Sequence, residues 1–257
     1  MARSRPSRAR PMRLTERDEQ LLHRLARYGF LSTPQLTRDL FPTENRARRR
    51  LRKAFDAGLV RKHLVDSQCP DIYAITSLGL GELRSRGRML DRVRPPRRAP
   101  AFATMTHQLM LADALLYAEA TTQASDRLAG IEWARGRSAL ARAAGFDVRR
   151  LVPDALAVFT LPSGGAWTVS IEADAGTEPL STWRRKLAAY QPLLQSRRIN
   201  ELWVILERTA GRDASLAALV STTTARSVRI FPHPYLYERP TGSPVAVVED
   251  AYLAQPS

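Results

Sequence analysis

Residues 151–178 read LVPDALAVFTLPSGGAWTVSIEADAGTE. Three acids, Asp154, Glu172 and Asp174, lie in two apolar, strand-like runs joined by a Pro-Ser-Gly-Gly turn. Strands apolar enough to be buried rarely carry acids. Carboxylates gathered within reach of one another suit a hard divalent cation, Mg2+ or Mn2+. Such an ion polarises a phosphate and acidifies an attacking water. Downstream, EPLSTWRRKLAAYQPLL has helical character and carries Lys186 and Tyr190 at i, i+4 spacing. An ammonium there would neutralise charge developing at the site. A structural alternative stands beside this reading. In it Asp174 caps the turn ADAG, Glu172 pairs with Arg184 or Arg185, and Asp154 bonds the turn after Pro153.

Whether the three acids share a face depends on register. By period two, Thr168, Ser170, Glu172 and Asp174 point one way, and Trp167, Val169, Ile171 and Ala173 the other. Asp154 is opposite in phase to Ala155, Ala157 and Phe159. A three-residue hairpin loop at 163–165 would pair Asp154 with Asp174 and place all three acids together. A two-residue loop would break that parity. The residues alone leave both open.

A second chemistry lies near the N-terminus. The run TENRARRRLRKAFDAGLV predicts a helix closed by Gly58 at a C′-like position. At about 100° per residue, Ala47, Leu51, Ala54, Phe55 and Gly58 gather on one side. Asn45, Arg46, Arg49, Arg52 and Lys53 gather on the other. One face can pack while the other meets phosphates and base edges, Arg suiting guanine and Asn adenine. Two helices precede it. LTERDEQLLHRLARYG has Thr15 as cap, Asp18 as its box partner and Gly29 as its end. STPQLTRDLF has Ser32 or Thr33 as cap and Pro34 in its first turn. Two β-like runs follow around a polar tip, with Arg61, Lys62 and His63 on the first, and SLGLGELRSRG suggests a further helix. This order is that of a winged helix-turn-helix. A small helical domain with a solvated basic face is the plainer alternative.

Charge agrees with two different halves. The 257 residues carry a net +15, yet residues 1–100 alone hold 24 Lys+Arg against 10 Asp+Glu. An excess confined to one region points to a polyanion, most simply double-stranded DNA. Cys69 is the only cysteine, which excludes a disulfide framework and a multi-cysteine zinc site, and the four histidines lack ligand spacing. No run of about 18 apolar residues predicts a membrane span, and the basic start lacks the apolar stretch of a secretory signal. A soluble cytoplasmic protein is the expectation.

The elements that would position the acids follow from pattern. TMTHQLMLADALLYAEA predicts a helix, RLAGIEWARG a short strand around Ile131–Trp133, and 135–150 a loop. INELWVILER and SVRIFP predict strands, with ASLAALVSTTTA a helix between them. The C-terminal order α-β-β-β-α-β-α-β predicts a mixed sheet with helices packed on it. The fold class is therefore α+β. The expected domains are a basic tail (1–12), a winged helix-turn-helix (13–86), an Arg/Pro linker (87–103) and an α/β sheet domain (104–257).

PD (153–154), IEAD (171–174) and WRRKLAAYQ (183–191) resemble the restriction-endonuclease-like superfamily with its PD…(D/E)xK motif. The resemblance implies that Asp154 and Glu172 bind Mg2+. It also implies a lysine two residues after Glu172, where this chain has Asp174. Lys186 then stands as a migrated lysine. Over roughly 13–210 the chain also resembles the replication-relaxation family. The pieces are LTERDEQLLHRLARYGFLSTPQL, the Arg-rich helix, THQLMLADAL, LVPDALAVF and EADAGTEPLSTWRRKLAAY. That resemblance implies plasmid or mobile-element replication, DNA relaxation and mobilisation, with other relaxation or replication proteins as partners.

Three functions compete. One is a DNA-binding protein with a metal-dependent nuclease or nickase domain, using Asp154, Glu172, Asp174 and Lys186, with the three acids as metal ligands. Another is a non-catalytic accessory or transcriptional regulator with a degenerate nuclease fold, which the missing lysine favours. The third is a protein-interaction scaffold with a basic arm, which leaves the acids unexplained. A tyrosine relaxase is disfavoured because no histidine cluster is present. A homodimer is expected because winged-helix proteins often read paired half-sites, although no heptad or interface signal marks one.

Overall fold

The computed structural model describes residues 12–63, 70–87, 93–96, 100–137, 140, 151–176, 178–207, 211–221 and 227–233. The chain is mixed α+β and divides into two compact units, 1–112 and 113–257. The sequence places the boundary in the linker 87–103. The division into units falls within the long helix Phe102–Gln123, whose first turn packs in the first unit's core.

In the first unit, α1 (Glu16–Tyr28) buries Leu21, Leu22 and Leu25 and ends at Gly29, whose φ is +81°. Next come β1 (Leu31–Ser32) and α2 (Thr33–Leu40). A reciprocal cap starts α2: the Gln35 amide oxygen accepts from Ser32 N–H at 2.8 Å, and Ser32 Oγ faces Gln35 N–H. The basic helix α3 (Glu44–Asp56) is capped by Thr43 and buries Ala47, Leu51 and Ala54. Gly58 follows at φ +71°, the left-handed position that glycine occupies without strain. Then come β2 (Val60–His63), β3 (Ile72–Ile75) and α4 (Ser77–Ser85). The three strands form an antiparallel sheet in the order β1-β3-β2, with Leu31 facing Tyr73 and Lys62 facing Tyr73 from the other side. The tip of the β2–β3 hairpin and residues 88–92 of the linker lie outside the described residues. Helix α5 (Phe102–Gln123) sends Met105 into a cluster with Phe30, Ile72 and Ala74.

In the second unit, β4 (Gly130–Ala134), β5 (Ala155–Thr160), β6 (Ala166–Asp174), β7 (Glu201–Glu207) and β8 (Val228–His233) form one sheet in chain order. Pairing is antiparallel through β4-β5-β6 and parallel through β6-β7-β8. The parallel pairs need crossovers, which α6 (Leu180–Gln195) and α7 (Arg212–Ser221) supply. One sheet face packs Leu156, Leu202 and Val204 against Trp183, Leu187 and Tyr190 of α6 and Leu216 of α7. The other packs Phe159, Trp203 and Phe231 in tilted and edge-to-face contacts, with ring centroids 5.7 and 5.5 Å apart. There Trp133 Nε1–H donates to Glu119 of α5 at 2.7 Å. Among the described residues, no helix is long and apolar enough to cross a membrane.

One expectation needs correction, and one point left open by the residues is decided. The stretch 135–150 is not all loop. Arg137 and Leu140 are helical, and Leu140 N–H donates to Gly136 O at 3.0 Å while its side chain is fully buried. The β5–β6 loop is indeed three residues, but it is 162–164 rather than 163–165. Leu161 N–H donates to Gly165 O at 2.9 Å, closing the ladder one residue earlier on each side. Proline explains the choice. A loop at 163–165 would put Pro162 in the closing pair, where it has no N–H to give. As the first loop residue Pro162 suits the turn, and Gly164 takes the left-handed position at φ +85°.

Candidate functional site

Glu172 and Asp174 lie on β6, a strand buried on both faces, with Ser170, Glu172 and Asp174 each no more than 1% exposed and Val169, Ile171 and Ala173 buried opposite them. Asp154, by contrast, lies one residue before β5 and is half-buried. The corrected register decides their neighbours. Ala155 faces Ile171, so extending the ladder by one residue sets Asp154 against Glu172, not Asp174. Parity is kept, and Asp154 turns back to accept Ala173 N–H at 2.9 Å.

Glu172 is enclosed by α6. Lys186 Nζ donates to its Oε2 at 2.9 Å, and Tyr190 OH donates to its Oε1 at 2.5 Å. The i, i+4 spacing puts both donors on the helix face turned to the sheet. Ser170 Oγ donates to the Tyr190 oxygen at 3.1 Å. Burial pushes the Glu172 carboxyl up, and the charge of Asp154 adds to it, to about 7 despite Lys186 and Tyr190. For Lys186, burial pulls the ammonium down, but Glu172 and Glu178 outweigh it and raise the pKa. Lys186 also bonds Glu178 Oε1 at 3.0 Å and lies 4.9 Å from the Trp183 ring centroid. Burial raises the Tyr190 phenol well above its ordinary range and keeps it a donor.

Asp174 has a different occupation. Its Oδ1 accepts Gly176 N–H at 2.9 Å, the turn-capping role. Its Oδ2 accepts Trp183 Nε1–H at 2.9 Å and Arg212 Nη2 at 2.7 Å. Arg212, at the start of α7, also donates to Glu178 O. So Asp174 holds a guanidinium, which repels a cation from that carboxylate. Glu172 pairs with Lys186 rather than with Arg184 or Arg185. Among the described residues, no group of three or more His, Cys, Asp and Glu is placed to hold a metal ion. The residues that fit one best are the Asp154–Glu172 pair, two carboxylates whose mutual repulsion a divalent cation would relieve. Pattern reasoning missed Glu178 and Arg212. Arg212 is 38 residues from Asp174 and carries no local signal.

On α3, Asn45, Arg46, Arg49, Arg52 and Lys53 are all exposed, as the wheel expects. Ion pairs sort them. Arg52 Nε bonds Asp56 Oδ1 at 3.0 Å, and Arg48 pairs with Glu44, both within the helix. Arg46, Arg49 and Lys53, at i, i+3 and i+7, form one stripe whose side chains make no ion pair among the described residues. On β2, Arg61 is exposed, whereas Lys62 is half-buried and pairs with Asp71 at 2.6 Å. His63 is buried against Phe30, rings 5.5 Å apart, and burial lowers its pKa.

These two units define an α+β protein with a solvent-facing cationic helix in one unit and a buried carboxylate–lysine network in the other. The chain belongs to the replication-relaxation family, whose profile matches residues 22–202, from within α1 into β7. Neither the curated proteins nor the solved structures contain a match.

Proposed function

We propose that the protein is a double-stranded DNA-binding protein of plasmid or mobile-element replication, relaxation and mobilisation, and that its second unit nicks DNA at the Asp154–Glu172 pair. The observation that carries DNA binding is the exposed Arg46–Arg49–Lys53 stripe on α3. It fits the reading of the first unit as a winged helix-turn-helix, with α3 in the major groove and β2–β3 as the wing. Family membership supports the setting.

The nicking proposal rests on a restriction-endonuclease-like reading of the second unit. Asp154 and Glu172 would hold Mg2+ or Mn2+, and Lys186, already 2.9 Å from Glu172, would neutralise charge on the phosphate. Bound there, the ion would polarise the scissile phosphate and acidify the attacking water. Asp174 serves this site by fixing Trp183 and Arg212 around it. Supercoiled plasmid incubated with Mg2+ or Mn2+ provides the test. Wild type is expected to produce open circles, and Asp154→Ala and Glu172→Ala are expected to abolish them. Nicking that survives in both variants would remove the pair from the reaction.

A second reading is a non-catalytic DNA-binding accessory. It is favoured by one observation: both oxygens of Glu172 already accept bonds, from Lys186 and Tyr190. Duplex binding with no cleavage under either metal would select it.

A further inference from the structure

Helix α1 is tied to each of the other helices of the first unit that follow it before α5. Arg24 Nε pairs with Asp39 of α2 at 2.9 Å, Glu19 Oε1 with Arg86 just after α4 at 2.8 Å, and Asp18 with Arg50 of α3. The last pair differs from the others. Asp18 is 1% exposed, and both its oxygens are engaged by the guanidinium, Oδ1 by Nε and Oδ2 by Nη2. Oδ2 also accepts Thr15 N–H at 2.6 Å and the Thr15 hydroxyl at 2.7 Å. Burial raises the Asp18 pKa, but the bonds from Arg50 and Thr15 outweigh it and hold the carboxyl below its ordinary value. One carboxylate therefore both caps α1 and clamps α3 in a planar, bidentate geometry that fixes rotation as well as distance.

Arg50 lies within the Arg-rich run of α3, one residue after Arg49. About 100° of helical rotation separates neighbours, so Arg50 turns inward while Arg49 turns out. We propose that Arg50 is a positioning residue and not a DNA contact: its clamp on Asp18 sets the angle at which the Arg46–Arg49–Lys53 stripe meets the duplex. This rests on the reading of α3 as the DNA-facing helix.

The test measures duplex affinity of the full chain across a salt series for wild type, Arg49→Ala, Arg50→Gln and Asp18→Asn, well below each variant's unfolding temperature. A residue on a phosphate lowers the slope of log affinity against log salt by about one when removed. Arg49→Ala is expected to do so. Arg50→Gln is expected to lose affinity by about 2- to 30-fold, the range of residue-level couplings, with an unchanged slope. Asp18→Asn, which keeps the Arg50 charge, is expected to lose affinity likewise, and Arg50→Lys, lacking the bidentate fork, is expected not to restore it. A slope change for Arg50→Gln matching that of Arg49→Ala would overturn the proposal, as would wild-type affinity in folded Arg50→Gln. If Arg50→Gln does not fold, Asp18→Asn decides, since tighter binding with a steeper slope would mean that the freed Arg50 reaches phosphate. Arg49→Ala that leaves affinity and slope unchanged would sink the reading of α3 itself, and the clamp proposal with it.

Discussion

Helix α3 and strand β6 each carry a cluster of charge, and they treat it in opposite ways. On α3 the stripe Arg46, Arg49 and Lys53 faces solvent without an ion pair among the described residues. On β6 every charge is matched: Glu172 by Lys186, Asp174 by Arg212. Exposed cations keep their hydration and remain available to a polyanion. Buried carboxylates lose their hydration and persist only with donors in place. A charged residue in a sequence is thus two different signals. On α3 the apolar spacing decides which, whereas on β6 the alternating polar face is buried only because α6 packs over it.

The sharpest way to break this contrast is through stability. Lys186→Ala would leave Glu172 buried beside Asp154 without its cation. Unfolding the full chain in urea at pH 8 is expected to show a loss of about 3 kcal/mol, the scale for breaking a buried pair. Arg49→Ala, on the exposed stripe, is expected to stay within about 0.5 kcal/mol of wild type. Equal losses would mean that the two clusters are not held differently.

DNA binding should reverse the order. The triple variant Arg46→Ala, Arg49→Ala, Lys53→Ala is expected to lower the salt slope of duplex binding by about 2.7, near 0.9 per lost phosphate contact. Arg52→Ala should matter less, since Asp56 already offsets its charge. Filter or anisotropy titrations at several salt concentrations would show whether the stripe or the whole helix face carries the contact.

Acidity separates the units further. The folded Glu172 pKa, about 7, lies above the ordinary 4.5. The folded state therefore binds a proton more tightly than the unfolded chain does. The stability from this group is fully present below about 4.5 and is lost as pH rises to about 7. Urea midpoints of wild type are expected to fall over that window relative to Glu172→Gln, in which this dependence is gone. Identical profiles would show that Glu172 ionises normally. The smallest effect expected is local to the first unit: Ser32→Ala removes half of the α2 capping box and should cost about 1 kcal/mol.

Much of the fold was legible in residue pattern. Thr15 and the Ser32–Thr33 pair mark helix starts, and Gly29 and Gly58 mark ends, because caps and left-handed glycines answer local backbone needs. The inward set Ala47, Leu51 and Ala54 follows from helical period alone. The candidate site was legible only in part. Lys186 and Tyr190 could be paired with each other by spacing, but not with Glu172 across 14 and 18 residues. Arg50 falls outside the outward set of the helical wheel, but no spacing names Asp18, 32 residues away, as its partner.

By itself, the sequence determined what local rules govern: most element types and their order, helix caps, the basic face of α3 and the shared face of Glu172 and Asp174. Tertiary structure decided what depends on long-range pairing. It closed the β5–β6 hairpin one residue earlier, so that Asp154 faces Glu172. It brought Arg212 onto Asp174 and Arg50 onto Asp18. Those outcomes depend on which distant donor reaches a desolvated carboxylate first. Spacing along the chain carries no record of that, because the competition is settled only when sheet and helices pack.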